Sequence, residues 1–163
     1  MTTDPRLQKI KFLATGKHLP KGLLLACTLL LSACSGTPAE NLGVHDGQLA
    51  PCPSSPNCVS SQASDADHKV DPLPLLGSAE NTRETLLKLI NSQPGARLVD
   101  QDTSYLRAEY TSDLLRFVDD VEFMITASDV QVRSASRLGY SDLGVNRKRV
   151  EQLRQRMLQL PLP

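Results

Sequence analysis

The sequence predicts an α+β domain: one mostly antiparallel sheet of four to five strands, with two helices packed on a single face. Two observations carry this. Four consecutive strand-like segments lie between residues 97 and 137, and the last three alternate apolar and polar side chains with period two, as half-buried strands do. Helix-spaced apolar residues stand on either side of them, so the chain reads extended–helix–four strands–helix, an order that suits helices laid on one antiparallel sheet.

The elements follow in order. Residues 68–76, from His68 to Leu76, are extended, and Pro72 and Pro74 restrict them to a sheet edge because proline has no N–H for a ladder. Asn81 and Glu84 have capping-box spacing, Leu86, Leu89 and Ile90 share one helical face, and Pro94-Gly95 stops the run. Strands are expected at about 97–101, 104–111, 116–127 and 130–137. A helix from about 144 to 160 closes the chain, its Val150, Leu153, Met157 and Leu160 forming a stripe to bury.

Strand alternation assigns faces. Leu106, Ala108, Tyr110, Phe117, Val121, Phe123, Ile125, Val130 and Val132 belong to the core. Arg107, Asp120, Glu122, Arg133 and Arg137 belong to the opposite, open face. A two-residue turn at Ser128-Asp129 would pair Ala127 with Val130 and set Asp120 opposite Arg137, with Arg107 on the next strand near Asp120. The row Arg107, Asp120, Arg137 is either a solvated charge ladder or a platform for a ligand. Asp119 falls in the inward register between Phe117 and Val121, so it must be paired or mark a bulge. Ser134 and Ser136 lie on the same inward face, where a small polar pocket with Asp119 is conceivable.

The first 33 residues read as a secretory signal. Lys9, Lys11, Lys17 and Lys21 face a single acid, Asp4, and precede the uncharged run Leu23–Leu31. A helix of that run would rise only about 14 Å, too short for a bilayer core of about 30 Å. Leu31-Ser32-Ala33-Cys34 then resembles the lipobox of bacterial lipoproteins. That resemblance implies cleavage before Cys34, acyl chains on Cys34 as the membrane anchor, and, with Ser35 in place of an aspartate, the outer membrane facing the periplasm. Removing residues 1–33 from a chain of 163 leaves 130, enough for one modest core. Residues 34–51, rich in Gly, Pro, Ser, Thr and Asn, are expected to be the lipidated cysteine and a flexible tether, and 52–160 the single domain.

Cys52 and Cys58, in a proline-rich stretch of an exported chain, are most simply a disulfide. A metal site with His68 or His45, and a Cys52 thiol activated by His68, are the rivals, though the spacing fits no zinc pattern. No metal and no cofactor are expected. Zero formal net charge, no tryptophan and 4% aromatics argue against nucleic acid as a partner.

Arg133, Arg137, Arg147, Lys148 and Arg149 gather around the start of the last helix, where the dipole disfavours cations. Either Ser141 or Asp142 caps the helix, or Asn146 caps it and the cations face an anion: Asp119, Asp142 or a bound phosphate or carboxylate.

Three separated motifs, Cys52-Pro53-x-x-Pro56-Asn57-Cys58-Val59-Ser60-Ser61, Arg116-Phe117-Val118-Asp119-Asp120-Val121-Glu122-Phe123 and Arg133-Ser134-Ala135-Ser136-Arg137-x-Gly139-x-Ser141-Asp142-x-Gly144-x-Asn146-Arg147, resemble the domain-of-unknown-function family 1499 from Cys52 to about Leu158. The resemblance implies that these segments work as one site or one core. It assigns no activity and no catalytic residue.

The expected function is that of a membrane-anchored envelope module, binding an anionic small molecule or an envelope protein. Its ligand-binding candidates are Arg107, Asp119, Asp120, Arg133, Arg137, Asp142, Asn146 and Arg147. The alternatives are a small periplasmic hydrolase using Asp119, Asp120 or Cys52–His68, and a structural spacer or assembly factor.

Overall fold

A computed structural model describes residues 36–160; the expected signal segment and Cys34 lie outside the described residues. The chain order is β1 (Val44–His45), β2 (Gln48–Leu49), β3 (Cys58–Ser60), β4 (Leu73–Pro74), α1 (Ala79–Ser92), β5 (Ala96–Gln101), β6 (Tyr105–Thr111), β7 (Val118–Ile125), β8 (Asp129–Ser136) and α2 (Val145–Gln159). β1 and β2 pair as a small hairpin. The other strands form a six-stranded antiparallel sheet in the order β3-β8-β7-β6-β5, with β4 also on the outer edge of β8. Pro74 sits on that edge, opposite Asp129, where its missing N–H breaks no ladder. The fold is α+β as expected, with one strand more than the upper expectation because β3 and β4 share one edge.

Helix spacing and strand alternation meet in one core. Leu86 and Ile90 of α1 and Val150, Leu153 and Met157 of α2 are buried against Leu106, Val121, Phe123 and Val132 of the sheet. Ser78, not Asn81, caps α1: its Oγ accepts from the Asn81 N–H, so the helix begins three positions earlier than its apolar face suggests. Phe117, expected in the core, is exposed because β7 begins only at Val118.

The β7–β8 register also differs from expectation. Thr126 Oγ1 accepts from the Ser128 and Asp129 N–H groups and donates to the Asp129 carboxylate, which places the two-residue turn at Ala127-Ser128. Shifting the turn by one position moves every pairing by two, so Asp120 lies opposite Ala135 rather than Arg137. An even shift keeps the faces, and the face assignment of β6, β7 and β8 stands.

The second face of the sheet is not open. Residues 36–53 run across it: Leu49 packs with Tyr105 and Met124, and the Gly43 N–H donates to Glu122 Oε1 at 2.7 Å. Order therefore begins upstream of Cys52, and the segment expected to be a flexible tether has structure from Gly36 onward. The reason is chemical. Two buried carboxylates on that face, Asp120 and Glu122, need donors, and a backbone lying over them supplies one to Glu122.

Candidate functional site

Period two sends the even-numbered residues of β7 away from the helices, so Asp120 and Glu122 share the second face with Glu109 of β6 and Arg133 of β8. Asp120 is held on both sides. Arg137 reaches it with two hydrogen bonds, Nε to Oδ2 at 2.7 Å and Nη2 to Oδ1 at 2.9 Å, and Arg107 Nη1 donates to Oδ1 at 3.1 Å. Arg137 Nη2 also donates to Glu109 Oε1 at 2.5 Å, and the exposed Arg97 closes Oε2 at 2.6 Å. Burial raises the Glu109 carboxyl, but Arg137 and Arg97 more than offset it and hold it below its ordinary value. The Asp120 contact, ahead of the opposing effect of burial, holds the Arg137 guanidinium charged more firmly than usual.

Glu122, fully buried, is satisfied from three elements. Tyr105 Oη donates to Oε1 at 2.9 Å from β6, the Gly43 N–H to the same oxygen, and Arg133 Nη1 to Oε2 at 3.1 Å from β8. Burial, and then the charge of Glu122, push the Tyr105 phenol far above its ordinary range, so it stays a donor. Arg133 is buried too, and its Nε is the one buried side-chain polar atom among the described residues without a hydrogen-bond partner.

Above this network lies a cleft of about 560 Å³. Its floor is Asp120, Arg133 and Arg137; its walls are residues 37–42 and the disulfide-bearing stretch 51–53. Cys52 and Cys58 are bonded, as expected, with Cα atoms 5.7 Å apart, which pins the wall to β3. The chemistry of the floor is one-sided. Every carboxylate oxygen of Asp120, Glu122 and Glu109 already accepts, whereas Arg133 Nε and, among the described residues, Arg133 Nη2 and Arg137 Nη1 keep unused donors. A site with acceptors consumed and donors left suits a ligand that brings acceptors.

The first face holds a separate network under α2. Arg149 Nη2 donates to Asp119 Oδ2 at 2.6 Å, and its guanidinium lies 4.7 Å from the centre of the Tyr110 ring. Burial pushes the Tyr110 phenol up to about 12. Asn146, fully buried, accepts at Oδ1 from Ser134 and Arg149, and donates from Nδ2 to Asn57 O and Ser136 Oγ, both at 3.0 Å. Asp119 is thus paired, and β7 carries no bulge; the sheet's irregularity falls in β5, between Leu98 and Asp100.

The eight expected site residues therefore part into groups. Arg107, Asp120, Arg133 and Arg137 come together at the cleft, while Asp119 and Asn146 lie on the other face. Asp142 stands where an external anion was one option, accepting from the Gly144 N–H at 2.9 Å and the Asn146 N–H at 2.7 Å at the start of α2. Arg147 is spent elsewhere: it donates to the Lys69 and Asp67 carbonyls at 2.6 and 2.7 Å, tying α2 to the segment before β4. Arg154 does the same for Asp71 and Pro72. Glu109, Tyr105, Glu122, Gly43, Arg149 and Asn57 were not among the candidates. Glu122 shares parity with Asp120, and Arg149 stands three residues after Asn146 on one side of a helix; those spacings are the signals that point to them. Gly43 gives no such signal.

The hydrolytic chemistries fare poorly. The disulfide consumes the Cys52 thiol, and His68 instead pairs with Asp65 at 2.7 Å. Asp119 and Asp120 point to opposite faces, so they do not form a catalytic pair.

A family model described as a protein of unknown function, DUF1499, matches residues 48–157. No curated protein and no solved structure matches.

Proposed function

The chain belongs to the DUF1499 family, and on that premise we propose that it is a lipid-anchored module of the bacterial outer membrane, facing the periplasm, that binds a small anionic ligand. The anchor is supported by the basic segment, the apolar run and Leu31-Ser32-Ala33-Cys34 in that order. Several acyl chains on Cys34 give stable attachment where one gives only marginal binding. The Cys52–Cys58 disulfide suits an oxidising compartment.

The observation that carries the binding reading is the Arg133 side chain, buried on the cleft floor with Nε unpartnered. A buried donor left without an acceptor costs about 1–3 kcal/mol, and a carboxylate or phosphate oxygen in the cleft offsets that. Arg137 presents a second guanidinium beside it, pre-oriented by Asp120 and Glu109. A structural spacer is the competing reading, favoured by the three hydrogen bonds that Asp120 already accepts from Arg107 and Arg137.

Native mass spectrometry of the exported, acylated protein, extracted gently from membranes, separates the two. The binding reading expects a retained anionic molecule in the wild type that is lost in Arg133→Lys, which keeps the charge but removes Nε. Both proteins bare, each at its own sequence mass plus acyl chains, would leave the spacer.

A further inference from the structure

We infer that the end of the domain bearing the β6–β7 loop and the β8–α2 loop docks directly onto the bilayer that holds Cys34, inserting apolar side chains from both loops. The inference rests on the proposed anchor and adds an orientation to it. β6 and β8 both finish at this end of the sheet, where Thr111 pairs with Val118 and Ser136 with Asp119. The two loops leaving it carry Leu114, Leu115 and Phe117, and Leu138, Tyr140 and Leu143, all exposed; Leu143 is 94% exposed, Leu114 89% and Tyr140 77%. A single exposed leucine needs no explanation, but six large apolar residues at one end of a small domain do.

The loops are built to present them. Ser112 closes the first: its N–H donates to the Phe117 carbonyl at 2.9 Å, and its Oγ accepts the Phe117 N–H at 2.9 Å. In the second, Ser141 Oγ accepts from the Leu143 N–H at 3.2 Å and Asp142 holds the Gly144 and Asn146 N–H groups. Each loop holds a bulky residue in the left-handed region, Arg116 at φ 58° and Leu143 at φ 54°. That conformation is unfavourable for a side chain with a Cβ.

The occupant follows from where the described chain begins. Gly36 packs at this same end: a Cβ on it would fall 2.9 Å from Arg137 Cβ and 3.0 Å from Leu138 Cγ. Two residue steps from Gly36 to Cys34 span at most about 7 Å of fully extended chain. An acylated Cys34 therefore holds the bilayer surface within reach of Leu138, Tyr140 and Leu143. Leucines enter the acyl boundary, and a tyrosine suits the headgroup level. The cleft, walled by residues 37–42, then opens beside the membrane.

The chain contains no tryptophan, so single reporters read cleanly. Leu115→Trp, Leu143→Trp and, at the opposite end in the β7–β8 turn, Ala127→Trp are made in the full chain. Each exported, acylated protein is reconstituted into phosphatidylcholine vesicles with brominated acyl chains. Acyl mass and flotation with the vesicles report the anchor; tryptophan quenching reports docking. Strong quenching at 115 and 143 with little at 127 is expected. Proteins that float with the vesicles but show no quenching at 115 and 143, or equal quenching at all three positions, overturn the docking and leave the anchor standing. A chain without acyl mass that stays free of the vesicles overturns the anchor, and the docking with it.

Discussion

Asp119 and Asp120 are adjacent in the chain, yet their carboxylates sit on opposite faces of the sheet, each closed by an arginine from a different element. Asp119 pairs with Arg149 of α2 at 2.6 Å, and Asp120 with Arg137, just past β8, at 2.7 Å. The pair divides the molecule: a helix-covered face built for cohesion, and a second face whose floor keeps unused donors.

That division predicts independence. Asp119→Asn and Asp120→Asn share no side-chain hydrogen-bond partner, so each is expected to destabilise through its own arginine, with a double-mutant coupling smaller than either single effect. Urea unfolding of both single variants and the double variant checks this. Of the two, Asp120→Asn is expected to weaken ligand retention, because Asp120, unlike Asp119, holds Arg137 at the cleft.

Glu122→Gln removes the charge that balances buried Arg133. Breaking a buried ion pair by removing one partner costs about 3–5 kcal/mol, so the urea midpoint drops steeply. Replacing both partners with apolar residues, as in Glu122→Leu with Arg133→Met, recovers much of that loss. The Gln amide oxygen can still accept the Gly43 N–H in the single variant, whereas Leu in the double removes the acceptor, so hydrogen exchange at Gly43 should accelerate chiefly in the double.

Asn146→Ala strips the buried Asn57 carbonyl and the Ser134 and Ser136 hydroxyls of a shared partner. The Asn57 carbonyl keeps the Ser136 N–H and Ser134 Oγ keeps Arg149 Nη1, so the expected destabilisation is about 1–3 kcal/mol, from the hydrogen bonds lost at Asn146. Thermal unfolding measures it. Membrane attachment and cleft occupancy, which lie on other surfaces, are expected to persist below the lowered midpoint.

His68 carries a pH dependence whose sign is set by Asp65. The hydrogen bond that His68 Nδ1 donates to Asp65, ahead of the opposing effect of burial, raises the imidazole above its ordinary 6.5. The pair's contribution is complete below 6.5 and is lost as pH rises through the raised folded-state value. An NMR titration should find His68 above 6.5, and Asp65→Asn should return it toward that value. The stability advantage of wild type over Asp65→Asn should shrink as pH rises above 6.5 and through the raised folded-state value.

Much of the fold was legible because burial is periodic. Leu106, Val121, Phe123 and Val132 alternate, and Val150, Leu153 and Met157 repeat at helical spacing, so sheet, helices and faces follow from the pattern. The grouping of Arg107, Asp120 and Arg137 was legible for the same reason, since even a two-residue register error preserves parity. The boundaries were not, because side-chain hydrogen bonds set them: Ser78 Oγ starts α1, and Thr126 Oγ1 moves the β7–β8 turn by one position. The covering of the second face was invisible as well. It depends on the Gly43 backbone meeting Glu122 seventy-nine residues away, and a backbone N–H carries no residue-type signal. The cationic cluster misled in part, because Arg147 and Arg154 bind backbone carbonyls, acceptors that every residue has.

The most direct test of the binding claim is the Arg133 Nε–H resonance, followed by NMR while acetate and then inorganic phosphate are added to the exported protein. An occupied cleft predicts that this signal and the amides of residues 37–42 shift together and saturate. If neither moves while the fold stays intact, the Arg133 guanidinium is a structural strut for Glu122, and the cleft is not a ligand site.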